Sequence, residues 1–89
     1  MATTIDKDPS AILDYTFDWA KWLAAGETIS TSTWTVSNVT KDSDSNTTTT
    51  ATVWLSGGIA GTSGSAVNRI VTSAGRQDER TLMITVTDR

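Results

Sequence analysis

The stretch Ala51-Thr-Val-Trp-Leu-Ser-Gly-Gly58 constrains this chain more than any other. It sets β-branched and aromatic side chains side by side and then stops at a double glycine, as a central strand running into a turn does. Alternation puts Ala51, Val53 and Leu55 on one face and Thr52 and Trp54 on the other. In a pair of packed sheets only one face of a strand is covered, so one of these faces presents a large apolar side chain outward. Two parities are open: Trp54 outward over a core of Val53 and Leu55, or Trp54 inward with those two exposed.

The rest of the chain reads as more strand. Asp14-Tyr-Thr-Phe-Asp-Trp19 alternates, with Tyr15, Phe17 and Trp19 on one face. Asp18 is placed to cap a single turn through Lys21, Trp22 and Leu23 that closes at Gly26 and is too short to stand as a helix. From Glu27 to Val36 the composition turns to Thr, Ser, Ile and Trp; Ile29 is out of phase with Trp34 and Val36, which predicts a bulge near residues 30–32. Ser37 to Thr48 reads as an exposed loop, and Gly57 to Ser65 as a second connection. Strands are expected again from Ala66 to Thr72 and from Thr81 to Val86, with Leu82, Ile84 and Val86 inward and a polar turn, residues 73–80, between them. Residues 1–10, broken by Lys7-Asp-Pro9, are expected as a flexible N-terminal arm, ordered only if something holds it, and residues 11–89 as a single domain. Short strands separated by turn signals, with no long amphipathic helix, favour a sandwich or barrel.

Size and charge narrow the function. A chain of 89 residues has room for one core, and in so small a core each of its four tryptophans weighs heavily. A net charge of −3 with scattered basic residues argues against nucleic-acid binding. The absence of cysteine removes disulfides, thiolate metal sites and thiol nucleophiles and fits a reducing compartment. No run approaches the roughly 20 apolar residues of a membrane span, and no charged-then-apolar leader opens the chain, so a soluble protein made in a cytoplasm is expected. The sequons Asn38-Val-Thr40 and Asn46-Thr-Thr48 carry no meaning outside a secretory route.

Candidate chemistry is sparse. Asp42-Ser-Asp-Ser-Asn46 has the opening rhythm of a calcium loop, yet Thr47 and Val53 stand where such a loop wants Gly and Glu, so a solvated loop is the reading. Asp78 and Glu79 beside Arg76 and Arg80 form a charged turn of loosely paired side chains rather than an acid–base site. Asp14 and Asp18 flank aromatic residues as glycosidase carboxylates do, but alternation turns them away from Tyr15 and Trp19. Neither a cofactor, a metal nor catalysis is expected. Trp19, Trp22 and Trp34 read as core or rim, which leaves Trp54 as the candidate contact residue.

Taken in order, Tyr15-Thr-Phe-Asp-Trp19, Trp22-Leu23, Gly26-Glu27-Thr28-Ile29, Ser32-Thr-Trp34-Thr-Val36, Val53-Trp-Leu-Ser-Gly-Gly58, Gly61-Thr62, Asn68-Arg-Ile70, Thr72-Ser-Ala-Gly-Arg76 and Asp78-Glu-Arg-Thr-Leu82 with Ile84 and Val86 resemble a family of small tailed-bacteriophage and prophage proteins, the phage fiber-tail adaptor or Ig-like proteins. The match runs from about Asp14 to Val86 and departs from the family at Glu27, where Gly-Asp is common, and near Gly64 and Ser65, where an aromatic is common. The resemblance implies an all-β, immunoglobulin-like sandwich of about six to seven short antiparallel strands. It implies a non-enzymatic virion part in a tail, fiber or capsid setting, assembled in the bacterial host cytoplasm against other phage structural proteins or further copies of itself. The expected interface residues are Trp54, Lys41, Asp42, Asp44, Arg76 and Arg80. The alternative is a particle-borne module that binds glycans or cell surfaces through aromatic stacking; several tryptophans on one open groove would favour it, and a buried cluster with one outward tryptophan would favour assembly.

Overall fold

Strong alternation in the middle of the chain and glycine-rich breaks around it produce seven strands and, among the described residues, no helix. The computed structural model describes residues 2–88; Met1, the first residue of the expected arm, and Arg89, the last of the expected domain, lie outside them. The strands are β1 (Ala2–Lys7), β2 (Leu13–Asp18), β3 (Ile29–Ser37), β4 (Thr40–Asn46), β5 (Thr50–Ser56), β6 (Ser63–Thr72) and β7 (Gln77–Val86). They form two sheets, one ordered β1-β7-β6-β3 and the other β2-β5-β4. The fold is thus an all-β sandwich.

The core lies between the sheets. Ala51, Val53 and Leu55 of β5 are buried, as are Ala66 and Ile70 of β6 and Leu82, Ile84 and Val86 of β7. Trp54 faces out, so the first of the two parities holds. Phe17 on β2 stacks on Trp34 of β3 across the sandwich, with centroids 5.5 Å apart and planes 4° from parallel. The Trp34 Nε1–H meets no acceptor among the described residues. That omission costs about 1–3 kcal/mol, less than the roughly 4–6 kcal/mol expected from burying an indole of this size. The bulge expected in β3 is present, as a register shift between Ile29 and Thr31.

Four segments differ from the sequence reading. Residues 2–7 form β1, which pairs with β7 in parallel from Ala2 opposite Thr81 to Lys7 opposite Val86, so the strands are not all antiparallel. Lys7 is fully buried, and its ammonium donates to the carbonyls of Gly57, at 2.7 Å, and Asp8, at 3.0 Å. A long aliphatic stem and two backbone acceptors let a lysine close the end of a sheet, a pattern that polarity alone reads as a loop. The expected loop from Ser37 to Thr48 contains β4, every residue of which is exposed. Hydrogen bonding to β5, rather than a buried face, makes it a strand, and its charges and the shift between Lys41 and Ser43 suit an edge. Strand β6 begins at Ser63 and β7 at Gln77, earlier than composition indicates.

Glycines explain the early start of β6 and the end of β5. A β-carbon at Gly64 would lie 2.7 Å from the Ser37 carbonyl oxygen, so only glycine lets β6 approach β3 there. At Gly58, φ is +103° and a β-carbon would lie 2.8 Å from Val86 Cγ2, which closes the chain tightly over the end of β7.

The connection from β2 to β3 makes the expected turn. The Asp18 carboxylate accepts the Ala20 N–H at 2.9 Å, and the amides of Trp22 and Leu23 donate to the Trp19 carbonyl at 2.9 and 3.0 Å. Trp22 and Leu23 pack on the core, and the turn ends at Gly26.

Candidate interaction surface

The indoles occupy four different environments. Trp19 is fully buried and donates from Nε1 to the Asn68 side-chain oxygen at 2.9 Å. Trp34 is buried at 4% exposure, and Trp22 is half-buried with its ring edge against Trp19 at 5.4 Å. Trp54 is 43% exposed on the outer face of the β2-β5-β4 sheet.

The registers define what surrounds Trp54. Asp14 of β2 stands directly opposite on one side and Ser43 of β4 on the other. Opposed residues bring their β-carbons within about 5 Å. Two residues further along β5 on the same face, the Ser56 hydroxyl donates to the Asp42 carboxylate at 2.9 Å. Thr16 and Thr52, also opposed, join hydroxyls at 2.8 Å. The outward positions of the three strands thus carry an indole, carboxylates and hydroxyls, and no basic residue. Lys41 and Asp44 lie on the same edge strand but engage each other at 3.4 Å.

Arg76 and Arg80 lie elsewhere, where the β2–β3 connection meets the β6–β7 hairpin. Glu27, 8% exposed, receives the Arg76 Nε–H at 2.9 Å on one carboxylate oxygen and an Nη2–H on the other. The Thr72 hydroxyl donates to the same carboxylate at 2.6 Å and the Ala24 amide at 2.9 Å. These bonds, the Arg76 contact first, hold the Glu27 carboxyl at about 2, below its usual 4.5. The same contact raises the Arg76 guanidinium. Arg76 lies 4.2 Å from the centroid of the Trp22 ring, and Arg80 lies 4.0 Å over Trp19 while donating to the Asp18 carbonyl at 2.9 Å.

The six residues singled out in the sequence therefore divide. Trp54 and Asp42 share a face, Lys41 and Asp44 sit beside it on β4, and Arg76 and Arg80 belong to a satisfied network at the other end of the sheets. Sequence reasoning did not connect Asp14 with Trp54, although both face outward on their own strands; strand pairing was the missing piece. Glu27 stood out only as a departure from the family pattern, and Lys7 only as part of the break at Lys7-Asp-Pro9.

Asp42 and Asp44 bind different partners on an extended strand rather than converging as calcium ligands do, and no cluster of His, Cys, Asp or Glu able to hold a metal occurs among the described residues. Asp78 and Glu79 line a shallow hollow with Arg69 and Gln77. No helix among the described residues is long and apolar enough to cross a membrane.

No curated protein matches the chain. A family model described as podophage GP4 fiber-tail adaptor protein gp77 matches residues 7–85, from the end of β1 almost to the end of β7. A match of that extent covers both sheets, and the chain belongs to the family of podophage GP4 fiber-tail adaptor protein gp77.

Proposed function

We propose that the chain is a non-enzymatic structural or adaptor component of a phage virion, joining larger tail or fiber proteins through protein–protein contacts. The observation that carries this reading is the family match over residues 7–85, since the family is described by an adaptor role. The distribution of indoles supports it. Three of the four are packed against the core or beneath an arginine, and one stands outward on a sheet face. A glycan groove built from several open aromatic rings has no counterpart in that arrangement, whereas a lone outward tryptophan suits an assembly contact.

We also read the sandwich as immunoglobulin-like. The β2-β5-β4 sheet facing β7-β6-β3 has the strand neighbours of a constant-type domain, with β1 moved onto β7. A buried tryptophan on the third strand, Trp34, fits the same pattern, without the disulfide that usually accompanies it. Such a sandwich is a rigid spacer whose outer faces and edges are available for neighbours.

Mass spectrometry of gradient-purified particles tests the reading. The chain is expected to co-sediment with the particle at a fixed ratio to the tail proteins, and the ratio gives its symmetry. Absence from particles of cells that express it would overturn the assignment.

A further inference from the structure

The two ends of the molecule treat the same chemistry differently. Where the β2–β3 connection meets the β6–β7 hairpin, Trp22 and the Glu27 carboxylate together hold the Arg76 guanidinium, stacked on one and paired with the other. Trp19 carries a second guanidinium, that of Arg80. On the outer face of the β2-β5-β4 sheet the indole and the carboxylates are present and the guanidinium is not. Trp54 is exposed, Asp14 stands opposite it in the ladder, and Asp42 is fixed by Ser56 on the same face. Asp14 makes no hydrogen bond or ion pair among the described residues.

We propose that Trp54, Asp14 and Asp42 form a docking point for an arginine side chain of a partner protein. The guanidinium lies on the indole and its N–H groups meet the carboxylates. The arginine fork suits this arrangement because it donates along its edges while its face remains free to stack. A lysine ammonium, a compact and strongly hydrated point charge, has no flat face to stack and fits the arrangement less well.

The occupant is a different protein rather than a second copy. Among the described residues each arginine is already engaged: Arg69 with Gln77, Arg76 with Glu27, and Arg80 with the Asp18 carbonyl and Trp19. A two-fold contact of this face with itself would set Asp14 and Asp42 against the same carboxylates and repel. A chain of net charge −3 with no basic residue among the outward positions of this sheet is complementary to a basic partner. The inference rests on the assembly reading for the identity of the partner, and on the geometry alone for its chemistry.

The test is a titration of the uniformly 15N-labelled chain with a short peptide of alternating glycine and arginine, followed at the indole Nε1–H signals, with Trp54 assigned from a Trp54→Phe variant. A control peptide carries citrulline, which keeps the shape of arginine and removes its charge. The expected result is a saturable shift of the Trp54 signal ahead of the other three indoles, no shift with citrulline, and binding weakened about tenfold or more in an Asp14→Asn, Asp42→Asn double variant. Both substituted positions are exposed, so the variant is expected to fold, as its spectrum will show. Equal response to the citrulline peptide, a Trp54 signal that moves no more than the buried indoles, or unchanged affinity in the double variant would each overturn the proposal. A Trp54 shift that grows with protein concentration in the absence of peptide would overturn it in favour of a second copy. A chain found in particles whose Trp54 ignores arginine loses the docking point and keeps the adaptor reading. A chain that binds the peptide at Trp54 but never enters particles keeps the docking point and loses the adaptor reading.

Discussion

The end of the sandwich around Trp19, Trp22 and Glu27 and the face around Trp54 are built from the same groups, yet only the first is complete. At the closed end, a connection with little regular structure is fixed by hydrogen bonds and an ion pair to the neighbouring hairpin. Glu27 is satisfied by Arg76, Thr72 and the Ala24 amide, while Ser73 and Thr28 exchange hydrogen bonds of 2.8 and 3.0 Å between the hairpin and the connection. At the open face, strand pairing and a few hydroxyl contacts fix the positions, and the indole and Asp14 are left facing solvent. The closed end stabilises the chain, and the open face has little to contribute to stability. That separation leaves the Trp54 face free to serve a partner, and each prediction below tests one side of it.

The largest effect is expected at Trp19. Its ring is fully buried, hydrogen-bonded to Asn68, edge-on to Trp22 and covered by Arg80. Trp19→Ala is expected to cost about 3–5 kcal/mol in denaturant unfolding. It also leaves the Asn68 side-chain oxygen without this donor. A loss under about 1 kcal/mol would show that the closed end does not anchor the fold, and the contrast with Trp54 would fail.

Next comes Glu27, whose effect depends on pH. Because its folded carboxyl sits at about 2 against the usual 4.5, its contribution to stability is fully present above about 4.5. The contribution is lost as pH falls from there towards 2, when protonation removes the ion pair. Thermal unfolding of the Glu27→Gln variant should therefore lie below that of the parent at neutral pH, and the gap should narrow across this window. A gap independent of pH would mean that the carboxylate charge is not what holds Arg76 to the connection.

These contrasts were only partly legible in the sequence. Alternation was enough to place Phe17, Leu82, Ile84 and Val86 in the core and to set Val53 and Leu55 on one face opposite Trp54, because a half-buried strand imposes a period of two on its composition. Which of those two faces is buried was decided only by the packed sheets. Alternation was not enough for β1 or β4. In β4 every residue is exposed, so no face had to be apolar; in β1 the residue that closes the strand is a buried lysine held by two carbonyls. Both strands are defined by hydrogen bonds to a neighbour, a property of the pair that neither strand carries in its own residues. The same holds for the Trp54 face. The indole was visible, but its carboxylate neighbour Asp14 is 40 positions away and is brought opposite only by the β2–β5 register. Arg76 and Arg80 were grouped with Trp54 as exposed charges because a turn of Asp, Glu and Arg reads as solvated. Their partners, Glu27, Trp22 and Trp19, all come from the β2–β3 connection.

Arg80 separates stacking from packing at the closed end. Its guanidinium lies over Trp19 and bonds the Asp18 carbonyl, while the ring beneath it also meets Trp22 edge-on and donates to Asn68. Arg80→Gln is expected to cost about 0.5–2 kcal/mol, well below the cost of losing the ring itself. A cost equal to that of Trp19→Ala would mean that the arginine, rather than the indole, holds this end together.

The smallest effect on stability, and the sharpest on assembly, is expected at Trp54. The ring contributes cross-strand contact with Asp14 and Ser43 but no core volume, since Val53 and Leu55 point the other way. Trp54→Ser should shift unfolding by about 1 kcal/mol or less. If the face is an assembly contact, the same variant should be depleted from purified particles to well below the parent's copy number, because truncating a central aromatic contact commonly costs 2 kcal/mol or more of binding energy. Measuring both quantities on one preparation decides what the ring is for. Normal incorporation with normal stability would make Trp54 an ordinary surface residue. A loss of several kcal/mol in stability would make it part of the fold, and the division between closed end and open face would disappear. Depletion with stability retained assigns the ring to a neighbour, since a side chain that adds little to the folded chain has its energetic role only where another protein covers it.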